Sequence, residues 1–167
     1  ELAMDSTGEI AELAAIAEPE IGAVLNIGFT HVSKLGSIDA IAAEKLSLVR
    51  GLPRTGTALL NADDPRIAPV AAELGCSVIT FGCAEEAALR RGQVTDRGLD
   101  GTSFDVTFGE TTERVNSPLP GAHTVPAVLT AIGAAIALGV NLRGAASAVS
   151  QSRATGRARV SHTEAGA

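Results

Sequence analysis

Short apolar runs alternate with capped, helix-spaced segments through the first two-thirds of this chain, and that alternation limits the fold more than any other feature. Residues 21–27 form a brief, unbroken apolar run, as expected of a parallel strand buried on both faces. Ser37 then caps a helix whose inward stripe runs Ile38, Ile41, Ala42, Lys45 and Val49, closed by Gly51 and Pro53. Residues 57–60 make the next strand. Asp64-Pro65 caps and starts a helix expected to run to Leu74, with Gly75 as its stop, and residues 77–81 form the strand after it. A βαβαβ rhythm of this kind implies a parallel sheet with right-handed crossovers.

The opening residues fit the same rhythm. Glu1-Leu2-Ala3-Met4-Asp5 reads as the end of a further strand, so the chain is expected to begin inside an element and to be part of a longer protein. Ser6-Thr7-Gly8-Glu9 has the form of a capping box, with Ser6 as N-cap and Glu9 reaching back. Ile10, Leu13, Ala14 and Ala17 follow at helical spacing until Pro19 stops the helix.

Beyond Ala88 the pattern changes. Residues 93–116 alternate apolar and polar side chains, with turn signals at Asp96-Arg97-Gly98 and Asp100-Gly101 and with Phe104, Val106 and Phe108 on one side. Val125, Val128, Leu129, Ile132 and Ile136 then mark a strongly apolar helix, and Asn141 caps a last one with Leu142, Ala145 and Val149 inward. The expected class is α/β: a mostly parallel sheet flanked by helices, with a small antiparallel β section near 93–116. One domain is expected over 1–151, with a linker over 152–167 that is rich in Arg, Ser, Thr and Gly.

Composition excludes several functions. The net charge of −6 offers no basic footprint for nucleic acid, and the absence of Trp and Tyr removes most base-stacking platforms. No apolar run reaches membrane-spanning length, and no basic, then hydrophobic, leader opens the chain, so a soluble cytoplasmic protein is expected. Cys76 and Cys83, without a CxxC or a neighbouring His, read as two reduced, mostly buried thiols.

A few residues have chemistry to spare. Glu1 and Asp5 bracket the end of the first expected strand, where a carboxylate can hold Mg²⁺ against phosphate oxygens, or simply lie in solvent. His31 follows the tight Asn26-Ile27-Gly28 tip and can ligate a metal, hold a phosphate oxygen or be an ordinary loop residue. Lys45 falls on the face of its helix that should be apolar. Two accounts compete there: a snorkelling side chain with its amine in water, or a desolvated amine able to add CO₂ and become a carboxylate. Turn and cap chemistry explains Asn61-Ala62-Asp63-Asp64-Pro65, and helix capping explains Gly121-Ala122-His123-Thr124, although a helix start can also face an anion. Arg157 can make a bidentate contact to phosphate or remain solvated. No GxxxxGK[ST] loop, GxGxxG fingerprint, GxSxG elbow or HExxH motif is present.

Taken together and in order, these segments resemble the Mur ligase family of peptidoglycan synthesis, and most of all its D-Ala-D-Ala-adding branch. Glu1-Leu2-Ala3-Met4-Asp5, then Gly8-Glu9-Ile10, is similar to an E-[LM]-G-[AM]-N-x-x-G-E-I signature. Asn26-Ile27-Gly28-x-x-His31, Gly36-Ser37, Lys45, Leu60-Asn61-Ala62-Asp63-Asp64-Pro65, Gly121-Ala122-His123 and Gly156-Arg157 resemble later motifs of the family. The resemblance implies a central ATPase domain of the P-loop type, with the phosphate loop expected before Glu1 and another domain after Ala167. It further implies ATP and Mg²⁺ as cofactors, and a UDP-muramoyl peptide and D-Ala-D-Ala as substrates held largely by other domains. Glu1 and His31 would bind Mg²⁺ together with Lys45, the lysine that is carbamylated in many relatives and the one catalytic residue expected here. His123, Thr124, Asn61 and Arg157 would line the nucleotide. Departures from the pattern exist: Asp5 stands where Asn is usual, Thr124 and Ala127 where asparagines sit, and Leu46-Ser47 where Gly-Glu follows the lysine. A degenerate, non-catalytic module for partner or nucleotide binding is the rival expectation, and this piece alone is expected to be inactive.

Overall fold

The computed structural model describes residues 2–30 and 32–152. Strands β1 (Ile21–Val24), β2 (Thr57–Asn61) and β3 (Ser77–Gly82) lie side by side and parallel, with Val24 paired to Leu60 and Asn61 to Phe81. A short β4 (Leu89–Arg91) continues the parallel run beside β3. It also pairs antiparallel with β6 (Thr102–Phe108), so it is the seam where the sheet changes character. The two-residue β5 (Thr95–Asp96) and the longer β7 (Thr111–Ser117) complete an antiparallel meander around β6. Seven strands are described, in the order β1-β2-β3-β4-β6-β5, with β7 on the other side of β6. The expected class and the antiparallel section are both present.

Helices cover both faces of the sheet, as a parallel sheet requires. Side chains alternate along β2, so Ala58 and Leu60 face one layer and Leu59 the other. On the first face α3 (Ile38–Arg50) buries Ile41, Leu46 and Val49 against Val24, Ala58 and Leu60. On the second, α4 (Val125–Ala137) and α5 (Leu142–Gln151) pack Val125, Val128, Leu129, Ile132 and Leu142 onto Leu59, Phe81, Leu89, Phe104, Val106 and Val115. Each of these large side chains contributes roughly 2 kcal/mol by leaving water. The expected side-chain caps are there: Ala40 N–H donates to Ser37 Oγ at 3.1 Å, and Gly144 N–H to Asn141 Oδ1 at 2.8 Å. No helix among the described residues is long and apolar enough to cross a membrane.

Five expectations need correction. Residues 2–4 form no strand, although Met4 is buried in the first layer. The first helix, α1 (Glu9–Ala17), starts at Glu9 with Gly8 as N-cap and no side-chain cap of its own. Ser6 therefore is not the N-cap, but Glu9 does reach back: its carboxylate accepts from Asp5 N–H at 2.6 Å. Only Ile10 of the expected stripe is buried, and Leu13 is exposed. The helix expected from Asp64 to Leu74 contracts to a 3₁₀ segment, Ala68–Ala72. Pro69 explains this, because inside an α-helix it would lack the N–H for the i−4 carbonyl and would collide with that turn. Finally, Cys83 is exposed and Cys76 is half-buried, and both are free thiols. A four-residue helix, α2 (Val32–Leu35), was not anticipated. The expected linker lies, apart from Ser152, outside the described residues.

Candidate functional site

Ligands of open α/β sheets collect at the carboxyl ends of the parallel strands, and there this chain concentrates its polar side chains. β1 stops at Val24, three residues before the end of its apolar run. Side chains take over from the ladder at that point. Asn61 Nδ2 donates to Leu25 O at 2.7 Å, Lys45 Nζ donates to Asn26 O at 2.9 Å, and Ile27 N–H donates to Asp64 Oδ2 at 2.8 Å. The single peptide unit joining Asn26 to Ile27 is thus held by a cation at its carbonyl and an anion at its N–H.

Lys45 reaches this place because α3 presents it four residues after Ile41, between core and solvent. Burial pushes its ammonium below the ordinary lysine value, while the nearby Asp64 carboxylate pulls the other way. The side chain neither snorkels freely nor sits in the core: its stem is half-buried and its head is fixed on a carbonyl. It lines an apolar cleft of about 560 Å³ on the free side of β1, together with Leu2, Ile10, Ile21, Ala23 and Leu48.

Asp63 and Asn61 build the neighbouring wall. Asn61 Oδ1 accepts from Asp63 N–H at 2.9 Å, which turns the chain after β2. Asp63 Oδ1 then accepts from Cys83 N–H at 2.8 Å and Ala84 N–H at 2.9 Å, just past β3, with Arg91 3.9 Å away. Burial raises the Asp63 carboxyl, but those amide bonds and the Arg91 charge outweigh it and leave the group below the usual aspartate value. Gly82 makes the arrangement possible, since a Cβ there would lie 2.5 Å from Asp63 Oδ1.

Asn61, Asp63, Gly82 and Arg91 face Ala122 and Pro126 across a small cavity of about 80 Å³ at the start of α4. A 3₁₀ turn, Ala122–Thr124, leads into that helix. His123 is exposed, with its ring folded over Gly121 so closely that a Cβ there would meet it at 2.7 Å. Thr124 Oγ1 donates to Gly121 O at 2.8 Å.

Of the expected site residues, Asn61 lines the small cavity opposite Ala122, His123 and Thr124 follow Ala122 in the same turn without lining that cavity, and Lys45 lines a separate cleft along β1. Glu1, His31 and Arg157 lie outside the described residues. Among the described residues no group of three or more His, Cys, Asp and Glu side chains could hold a metal. Asp63 and Asp64 spend their carboxylates on backbone N–H groups of neighbouring segments. Sequence reasoning missed one buried acid, Glu44, whose carboxylate accepts from Gly8 N–H at 2.7 Å and Ile10 N–H at 2.8 Å. Its only sequence signal is a charge beside Lys45 on the inner side of α3.

A family model, the Mur ligase middle domain, matches residues 1–135. The UDP-N-acetylmuramoyl-tripeptide–D-alanyl-D-alanine ligase of Mycobacterium tuberculosis (strain ATCC 25618 / H37Rv) is 31% identical over 166 residues, which are 99% of this chain and 32% of that protein. Among solved structures, MurF from Acinetobacter baumannii superposes with a TM-score of 0.82 at 24% identity, covering 91% of this chain and 33% of that one. MurF ligase from Thermotoga maritima, solved in complex with ADP, gives 0.77 at 18% identity over 93% of this chain and 35% of the other. The chain thus spans about a third of the length of the relatives it matches. The family model covers most of the chain and the sequence likeness runs along nearly all of it: the chain belongs to the Mur ligase middle-domain family.

Proposed function

We propose that the full-length protein is an ATP-dependent carboxylate–amine ligase of peptidoglycan synthesis, adding D-Ala-D-Ala to a UDP-muramoyl peptide. The substrate carboxylate attacks the γ-phosphorus of ATP, and the bond to ADP breaks. The amine of D-Ala-D-Ala then attacks the acyl carbon, loses a proton and releases phosphate. Such chemistry asks for positioning and for neutralisation of phosphate charge more than for acid–base groups.

One observation carries this reading: a lysine is held at the carboxyl end of the parallel sheet, on Asn26 O, with its amine partly desolvated. Its unprotonated amine can add CO₂, forming an N–C bond and releasing a proton, and so supply one more carboxylate at the strand ends. In this proposal Lys45 acts with Glu1 and His31 at Mg²⁺, which when bound neutralises phosphate charge. His123 and Thr124 would lie by the adenine, Asn61 would line the nucleotide, and Arg157 would lie near the phosphates. The ADP bound by the Thermotoga maritima relative supports a nucleotide here. The choice of D-Ala-D-Ala rests on the likeness to the Mycobacterium tuberculosis ligase. The domain is proposed to end near residue 151, with 152–167 leading to another domain, and the enzyme to work in the cytoplasm.

A second reading, a non-catalytic module, draws on Thr124, which stands where the family signature has Asn and turns its hydroxyl onto Gly121 O. Phosphate release by the intact gene product, with ATP, Mg²⁺ and a UDP-muramoyl tripeptide, separates the two. Release that depends on added D-Ala-D-Ala is the expected result. No release with any amine acceptor would favour the module.

A further inference from the structure

Glu44 is a carboxylate only 4% exposed, and the ligase chemistry has no use for it. Buried acids need partners, and this one takes two backbone amides instead of a cation: Gly8 N–H on Oε2 and Ile10 N–H on Oε1. These are the N-cap and second residues of α1, a helix with no side-chain cap of its own. An acid is favoured at such a position because the first amides of a helix have no partner within it. Gly8 turns through a φ of 96°, a left-handed conformation suited to glycine, and offers its amide to the same carboxylate that takes Ile10. The next residue along α3 is Lys45, about 100° around the helix, whose Nζ donates to Asn26 O. Two consecutive residues thus tie α3 to two separate segments.

Resting on the proposed ligase role of Lys45, we infer that Glu44 is a positioning residue: by clamping α3 to the first turn of α1, it fixes where the Lys45 amine sits at the end of β1. Without the clamp, α3 keeps its core packing but loses its polar tie to the first turn of α1, and Lys45 its fixed approach to Asn26 O. The effect falls on the reacting geometry and leaves nucleotide affinity alone.

The test uses the full-length protein with Glu44→Gln, which keeps the side-chain volume but offers only one good acceptor. Amide hydrogen exchange at Gly8 and Ile10 is expected to speed up, and kcat for ATP-dependent phosphate release to fall about tenfold or more. KM for ATP should stay within about twofold. Val115→Ala, a core truncation in β7 at the far end of the sheet, serves as the stability control: it should lower the melting temperature and leave kcat alone. Unchanged exchange in a folded Glu44→Gln protein overturns the clamp. Unchanged kcat in that variant, with Lys45→Ala inactive, overturns the positioning role. If Lys45→Ala itself keeps full turnover, the ligase role of Lys45 falls instead, and exchange at Gly8 and Ile10 alone decides for or against the clamp.

Discussion

At the carboxyl ends of β1, β2 and β3, polar side chains bond to backbone; on the outer face of the β6–β7 meander, they bond to one another. Asn61, Asp63 and Asp64 each reach an amide or carbonyl on a neighbouring strand end. In the meander Arg114 pairs with Asp105 at 3.1 Å and with Ser103 at 2.9 Å, and the Thr107 and Thr112 hydroxyls meet at 2.9 Å. The two arrangements do different work. Side chains that bind backbone fix the course of loops that no ladder supports, which is what a ligand site needs before a ligand arrives. Side chains that bind each other on an exposed sheet face add little beyond solubility and register. The strand ends should therefore be sensitive to substitution, and the meander surface tolerant.

The largest effect expected on the strand-end side is on activity. Lys45→Ala in the full-length protein should lower ATP-dependent ligation by roughly a hundredfold or more, the scale seen when one electrostatic group is removed from an active site. The fold should survive, because the Lys45 head makes one bond to a carbonyl that water can replace. Turnover unchanged at ordinary bicarbonate would remove Lys45 from the mechanism. The next effect is on stability. Asn61→Ala strips partners from Leu25 O and Asp63 N–H together, in a buried position, and should cost about 2–3 kcal/mol in urea unfolding. A loss no greater than that of a surface substitution would break the contrast between the two regions.

Much of the sheet is legible in the sequence because strands covered on both faces are mainly apolar: residues 21–27, 57–60 and 77–81 stand out for that reason. Ser37 and Asn141 are legible because a side-chain cap is a contact within three residues. Where the partner is distant, reading the chain locally fails. The cap of α1 comes from Glu44, and nothing near Gly8 announces an acid more than thirty residues away. The early end of β1 has the same origin, since three side chains from α3 and the β2 loop replace its ladder. Asp64-Pro65 does look like a helix start, but Asp64 gives one oxygen to Ile27 N–H and the other to Arg66 N–H, and Pro69 forbids the turn that would follow. In the candidate site, Lys45 is conspicuous as a charge in an apolar stripe. Asn61 and Asp63 hide as ordinary turn residues, because their bonds to other strands appear only in three dimensions.

A smaller effect separates the regions by pH. Asp63→Asn should cost about 1 kcal/mol at neutral pH: Oδ1 can still accept from Cys83 and Ala84 N–H, but the charge is lost and the amide that replaces Oδ2 opposes Cys83 N–H. The Asp63 carboxyl titrates lower in the folded protein than its ordinary value of 3.8. Its contribution is therefore complete above that ordinary value and is lost as pH falls through the lower, folded one. Denaturation midpoints of wild type and Asp63→Asn should converge on acidification below the ordinary aspartate range. Curves that stay parallel through and below that range would mean the carboxylate charge is not what holds Cys83 and Ala84.

The smallest effect belongs to the meander. Arg114 and Asp105 are side by side on β7 and β6, but their side chains are 49% and 58% exposed, so water and salt screen the pair and each long side chain loses freedom to make it. The Arg114 bond to Ser103 adds one contact to a hydroxyl of β6 that is itself buried but that water can reach once the Arg side chain is gone. Arg114→Ala should change stability by at most about 0.5 kcal/mol, and by less still at high salt. A loss matching that of Asn61→Ala would show that the outer face of the meander also carries structure, and that bonding to backbone is not what separates the two regions. A near-zero change, set beside a large one at Asn61, would locate the stiffness of this sheet where its parallel strands end.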